Sequence, residues 1–332
     1  MVISRTPYRI SLLGGGTDYP DWYSQHGGAV LAASINRYCY LTCRYLPPFF
    51  EHRFRIVYSV TEDCREISDI SHPVVKAALE TFAFDNGLEI HHDGDLPAHS
   101  GIGSSSSFTV GILHALFALK GQMVSKYELA RLAIQIEQKQ LRENVGCQDQ
   151  IMAAYGGFNH IEFQKSGEFL IHPLTLPDYE AVSSHCLLIF TGIRRLSSDI
   201  AATYVHNFDA RIEQMTRVQK SVNEGKELLL SGGRMREFGE LVHETWLAKK
   251  SLSSAVSRPE IDEIYDAARQ AGAVGGKILG SGGGGFMLLI VPPERQKAVR
   301  ERLRHLICVP LSFENAGSQI IFYEPEQIEN PI

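Results

Sequence analysis

Apolar residues recur along the chain in short blocks whose spacing alternates between a strand-like and a helix-like period, and those changes mark out the elements. Residues 29–33 and 37–44 read as strands, and a helix opened by Pro73 runs to about residue 86, where Gly87 closes it. Residues 88–92 read as a short strand. A Gly/Ser loop follows and feeds an apolar helix over 106–120, closed by Gly121. Ser125 with Glu128 three positions on is a capping box for a helix carrying Leu129, Leu132, Ala133 and Ile136 at helical spacing, with Glu137 beyond them. Gly156-Gly157 turns the chain into a hairpin of 158–163 and 169–174. From about residue 181 a second pattern begins. It has a buried strand at 186–190, helical stretches over 197–230, 235–250 and 261–270, a glycine loop, a strand at 286–291, a helix over 294–306 and a last strand at 318–323.

This order predicts an α+β protein of two domains, 1–180 and 181–332, and 332 residues with 44% hydrophobic content can fill two cores. A formal charge of −6 gives no general reason to expect nucleic acid as a partner. The longest apolar runs, 186–190 and 286–292, are too short to cross a bilayer. Arg5 and Arg9 interrupt any signal-type apolar core at the N-terminus, so a cytoplasmic protein without a membrane partner is expected. A homodimer is allowed by this composition. Six scattered cysteines without a CxxC pair read as reduced core thiols; Cys39 and Cys43 with His91 and His92 lack the spacing of a zinc site.

Three glycine-rich segments carry the chemistry. The central one, Gly101-Ile102-Gly103 followed by Ser104, Ser105, Ser106 and Ser107 and an apolar helix, has the form of an anion cradle. Glycines let backbone N–H groups approach a phosphate, the helix dipole favours its charge, and serine hydroxyls add donors or a magnesium ligand. GxxxxGK[ST] occurs nowhere, so this is no Walker A loop. A literal GxGxxG at Gly280, Gly282 and Gly285 precedes a strand instead of opening a helix, which is the wrong context for a dinucleotide fingerprint.

The segments Pro7-Tyr8-Arg9-Ile10-Ser11-Leu12-Leu13-Gly14-Gly15-Gly16-Thr17-Asp18-Tyr19, residues 97–107 and Lys277-Ile278-Leu279-Gly280-Ser281-Gly282-Gly283-Gly284-Gly285 together resemble the three motifs of the GHMP kinases, and the resemblance runs nearly end to end. It implies a ribosomal S5 domain 2-like N-terminal domain beside a ferredoxin-like C-terminal one, with an ATP site between them. The order Arg9 to Asp18 is similar to the sugar kinases of that superfamily. Galactokinases carry Glu-His where this chain has Gly15-Gly16. The Gly-Gly-Gly-Thr-Asp form, with Trp246, Lys249 and Gly275-Gly276-Lys277, looks most like the D-glycero-D-manno-heptose 7-phosphate kinases, whose acceptor would be phosphorylated on its anomeric hydroxyl.

By that resemblance, Pro97, Ser100, Gly101, Ile102, Gly103, Ser104, Ser105 and Ser106 wrap the phosphates of ATP. Ser105, or its neighbour Ser104, and Glu137 would hold Mg2+. Asp149 would accept the hydroxyl proton with Arg9 as its cationic partner, and Gly15, Gly16, Thr17, Asp18, Gly282 and Gly283 would bind the sugar or sugar phosphate. Each has a plainer alternative: Glu137 as a solvated helix-face carboxylate, Asp149 as a helix cap, Arg9 as a strand-end arginine, Asp18 as a residue of a glycine turn. Arg194, Arg195, Lys249 and Lys250 are the basic residues suggested for a phosphate on the acceptor. A fucokinase- or galactokinase-like enzyme, or a non-catalytic sugar and ATP sensor, remain alternative readings.

Overall fold

The computed structural model describes residues 1–84, 86–193, 197–232 and 234–324. In chain order the first domain comprises β1 (Val2–Leu13), α1 (Pro20–His26), β2 (Gly28–Tyr45), β3 (Phe54–Val57), β4 (Thr61–Cys64), α2 (Pro73–Phe82), β5 (Leu88–Gly94), α3 (Ser104–Leu119), α4 (Lys126–Gln135), α5 (Gln148–Tyr155), β6 (Phe158–Phe163) and β7 (Phe169–Pro173). There follow α6 (Tyr179–Ser184), β8 (Cys186–Phe190), α7 (Ser197–Ala202), α8 (Ile212–Leu230), α9 (Met235–Lys250), α10 (Pro259–Ala271), β9 (Gly275–Ile278), β10 (Phe286–Ile290), α11 (Gln296–Arg302), β11 (Ile307–Val309) and β12 (Gln319–Tyr323).

The first sheet runs β12-β1-β2-β5-β3-β4, with β6 also pairing β2 and β7 pairing β6. What reads in sequence as two strands at 29–33 and 37–44 is one 18-residue strand: its first half pairs β6 and its second half pairs β5. The glycine-opened helix α3 packs on β1 and β2, and Gly111 permits the close approach, since a Cβ there would stand 2.9 Å from Thr6 Oγ1. The second sheet has the order β11-β8-β10-β9, all antiparallel. With α8 and α9 between β8 and β9, and α11 between β10 and β11, this is the ferredoxin-like arrangement that the resemblance implies. Its central strands β8 and β10 are apolar throughout because both faces are covered: Leu188, Phe286, Leu288 and Ile290 pack into one cluster, and Leu187, Ile189, Met287 and Leu289 into the other.

Several elements differ from the sequence reading. The helix opened by Pro73 stops at Phe82, because Ala83 takes a left-handed φ of 46°. The stretch 197–230 is broken into α7, a 3-10 segment (Val205–Arg211) and α8. Gly275-Gly276-Lys277-Ile278, which reads as part of a glycine loop, is the strand β9; its glycines let α9 lie against it, where a Cβ on Gly275 would overlap the carbonyl of Gly239. The helix expected over 294–306 is a short 3-10 turn (Pro293–Arg295) followed by α11, and β11 follows it. The last strand pairs with β1, so the segment assigned to the second domain by a boundary at 180/181 returns to the first sheet. No helix among the described residues is long and apolar enough to cross a membrane.

The fold also yields a pH prediction. His114 on α3 lies 3.0 Å from Ser318 Oγ, and burial alone holds its imidazole below the ordinary value. Below about pH 6.5 the unfolded chain therefore binds more protons at this site than the folded one, and stability falls as pH falls. His114→Gln should lose less stability than the wild type between pH 7.5 and pH 5.5, measured as the shift of the urea midpoint. Equal shifts would contradict this.

Candidate active site

The site is built where the N-terminus of α3, the end of β1, the turn before α5 and the β9–β10 loop converge. The loop into α3 winds through three left-handed residues, His99 at φ 56°, Gly101 at 82° and Gly103 at 74°. Gly101 is obligatory for packing, since a Cβ would overlap the carbonyl of Leu279. Gly103 lets the loop approach Asp149 and Arg9, as a Cβ there would stand 3.3 Å from both Asp149 Oδ2 and Arg9 Cγ. Ser104, Ser105 and Ser106 supply first-turn N–H groups without an intrahelical partner, and they line the cavity with Gly101 and Gly103. Pro97, Ser100 and Ile102 shape the loop from behind. Ser100 Oγ donates to Pro97 O at 2.6 Å, and Ile102 is buried in the core and accepts from Arg9 N.

Arg9 and Asp149 form a bidentate pair, Nε to Oδ1 at 2.7 Å and Nη2 to Oδ2 at 2.6 Å, and Nη1 of Arg9 donates to Gly101 O at 2.7 Å. The guanidinium thus ties the glycine loop before α3 to the Asp149 carboxylate. Asp149 is the second residue of α5, with Cys147 at the cap position, so the reading of Asp149 as a cap is replaced by the ion pair. Asp18, 4% exposed, accepts from the N–H of Gly16 at 2.9 Å and of Gln148 at 3.2 Å. Burial, assisted by the nearby charge of Asp149, raises its pKa above the ordinary carboxylate value, and hydrogen-bond donors from a ligand would favour its ionised form. Gly15 and Gly16 line the cavity, whereas Thr17 faces inward, its Oγ1 2.9 Å from Gly14 O and 2.7 Å from Ala29 O, where it pins the turn.

Glu137 sits on a π-helical turn (Ile136–Gln140) that continues α4, and it is fully buried instead of solvated. Ser106 Oγ and Gln150 Nε2 both donate to its Oε2, while Oε1 has no hydrogen-bond partner among the described residues. Burial pushes its pKa up to about 7. A buried carboxylate with one unpartnered oxygen beside a serine hydroxyl is an oxygen donor set suited to Mg2+. The hydroxyl bonded to Glu137 belongs to Ser106. Ser105, named with it from sequence, is exposed toward the cavity and contributes its carbonyl to Thr109.

Gly282 and Gly283 do not line the cavity: a Cβ on them would press on Val256 and Ile200, so they serve close packing of the loop. Gly280 and Ser281 are the lining residues of that segment. Lys250 pairs with Asp262 at 2.9 Å, and Arg194 and Arg195 lie outside the described residues. Lys249 does line the cavity, buried at 4% exposure, with Nζ donating to Gly280 O at 2.6 Å. The sequence reading missed Lys277 as a site neighbour: it is 3% exposed, donates to Leu12 O at 3.3 Å, and burial with the charges of Lys249 and Arg9 lowers its pKa well below the usual lysine range. Ser11 was also missed, although it lies two positions from Arg9 on the same strand face, which alternation could have shown. Cys39 and Cys43 are buried thiols and His91 binds Glu89; the group with metal-ligand proximity among the described residues is His160, Glu162 and His172, on β6 and β7.

The fold is that of a two-domain kinase, with a cavity at which a helix N-terminus presents unpartnered N–H groups. The chain matches the models of the GHMP kinases N terminal domain over residues 71–157 and of the GHMP kinases C terminal domain over 226–307, and it belongs to the GHMP kinases. It is 29% identical over 330 residues to a D-glycero-alpha-D-manno-heptose 7-phosphate kinase of Campylobacter jejuni, covering 91% of this chain and 92% of that protein. The galactokinase of Thermotoga maritima is 25% identical over 312 residues, with 84% and 86% covered. A solved structure described as a D-glycero-D-manno-heptose 1-phosphate kinase from Bacteroides thetaiotaomicron superposes with a TM-score of 0.80 at 28% identity, over 98% of this chain and 100% of that one.

Proposed function

We propose that the protein transfers the γ-phosphoryl group of ATP to the anomeric hydroxyl of D-glycero-D-manno-heptose 7-phosphate. The observation that carries the reading is the Arg9–Asp149 pair, set between the phosphate-binding loop and the buried Asp18. Similarity to two heptose phosphate kinases supports the sugar. Their names place the acceptor's phosphate at opposite ends of the heptose.

In this reading the first-turn N–H groups of Ser104 to Ser106 hold the transferring phosphates, and the glycines of the loop let the backbone approach them. Asp18 receives sugar hydroxyls and sets the acceptor's orientation. Asp149, its plane fixed by Arg9, accepts the hydrogen of the attacking hydroxyl, so the oxygen's lone pair points at phosphorus. Arg9 also faces the charge that develops on the phosphoryl oxygens. Glu137 with Ser106, and Ser105 from the exposed side, would hold Mg2+, which neutralises phosphate charge when bound.

A coupled ADP assay with ATP and Mg2+ tests this across heptose 7-phosphate, heptose 1-phosphate, fucose, galactose and mevalonate. Heptose 7-phosphate should give the highest kcat/KM. Turnover of fucose or galactose without turnover of the heptose phosphates would replace the proposed acceptor, and nucleotide binding with no turnover of any sugar would favour the sensor.

A further inference from the structure

One wall of the cavity has chemistry that the transfer itself does not use. Ser11 on β1 and Ser281 in the β9–β10 loop are 3% and 5% exposed, both line the cavity, and neither Oγ has a hydrogen-bond partner among the described residues. Buried hydroxyls are normally satisfied, so two orphans in one cavity call for a ligand. Lys249, from α9, brings a buried ammonium to the same place. The space before it is kept open by Gly15: a Cβ there would stand 3.2 Å from Ser11 Oγ and 3.7 Å from Lys249 Nζ. Three separate chain segments thus present hydroxyls, an ammonium and bare backbone to one cavity wall, a donor set that matches an anion with several acceptor oxygens. Lys277 lies behind, close enough to feel the charge of Lys249, Arg9 and Asp18.

We infer that Lys249, Ser11, Ser281 and the Gly15-Gly16 backbone form the subsite for the phosphate already carried by the acceptor sugar. The inference rests on the function proposed above and gives that function its specificity: the subsite selects phosphorylated over unphosphorylated sugar. The α3 N-terminus serves the phosphates of ATP. The second set belongs to the acceptor because it is built around the Gly15-Gly16 turn, which leads directly into Asp18. A phosphate dianion there offsets two clustered lysines that otherwise repel each other.

The test compares D-glycero-D-manno-heptose 7-phosphate with unphosphorylated D-glycero-D-manno-heptose in wild type, Lys249→Met and Ser11→Ala. Methionine keeps the buried stem's volume and removes the charge. The wild type should prefer the phosphorylated sugar. In Lys249→Met the ratio of kcat/KM between the two sugars should fall by about 10- to 100-fold, through the KM for the sugar phosphate and not that for ATP. Ser11→Ala, a smaller change, should move the ratio the same way by about 3- to 10-fold. An unchanged ratio in both variants, or a rise in the KM for ATP instead, overturns the subsite while leaving the kinase reading standing. A wild type that uses neither heptose phosphate nor heptose overturns the function and the subsite together.

Discussion

Asp149→Asn lowers kcat by about two to four orders of magnitude, the range expected when a positioned proton acceptor is removed. Asparagine keeps the size of the side chain, so the cavity is unchanged in shape, but its amide can present only one acceptor oxygen to Arg9, and the NH2 cannot take a proton. The two charged hydrogen bonds at 2.7 and 2.6 Å are reduced to one, and Arg9 retains Gly101 O. The KM for ATP should therefore move by only a few fold, because the α3 N-terminus is intact. Arg9 is almost fully buried, so the loss of its partner also costs stability, by about 3 kcal/mol or more. Single-turnover kinetics below the melting temperature separate the two effects. A variant within tenfold of the wild-type rate would remove Asp149 from the role of proton acceptor.

Gly146→Ala should have the second largest effect, and it acts through sterics alone. A Cβ on Gly146 would overlap Asp18 Oδ2, and the two segments cannot slide apart, because Cys147 N donates to Asp18 O and Gln148 N to Asp18 Oδ2. The methyl group must displace the Asp18 carboxylate or pull α5, with Asp149 at its start, away from Arg9. We expect a loss of about 2 kcal/mol in stability and at least about a tenfold rise in the acceptor's KM. Acceptor titrations with ATP saturating measure the second quantity. An unchanged KM would mean that Asp18 does not touch the acceptor.

The loop that opens α3 was legible because its requirement is local: glycines followed by serines and a helix state its form without reference to any distant residue. The Arg9–Asp149 pair became legible only through the family motif, since 140 positions separate the two residues. Glu137 reads as a surface glutamate from its charge alone, although it lies four positions from buried Ala133 and seven from buried Ala130, so helical phase already points it inward. The choice between Ser105 and Ser106 depends on helix phase: with the helix starting at Ser104, successive serines point about 100° apart, and only Ser106 faces Glu137. The strand β9 is hidden by its two glycines, which have low strand propensity but are needed where α9 approaches. The return of β12 to the first sheet is a long-range pairing that no local pattern encodes.

The central claim is that this cavity joins a phosphoryl group from ATP to a sugar hydroxyl oriented by Asp18 and Asp149. Its most direct test is the 31P spectrum of wild-type protein incubated with ATP, Mg2+ and D-glycero-D-manno-heptose 7-phosphate. The account predicts a new phosphate ester on the anomeric carbon, in step with ADP and absent with Asp149→Asn. ADP formation without a second phosphate on the heptose would contradict it.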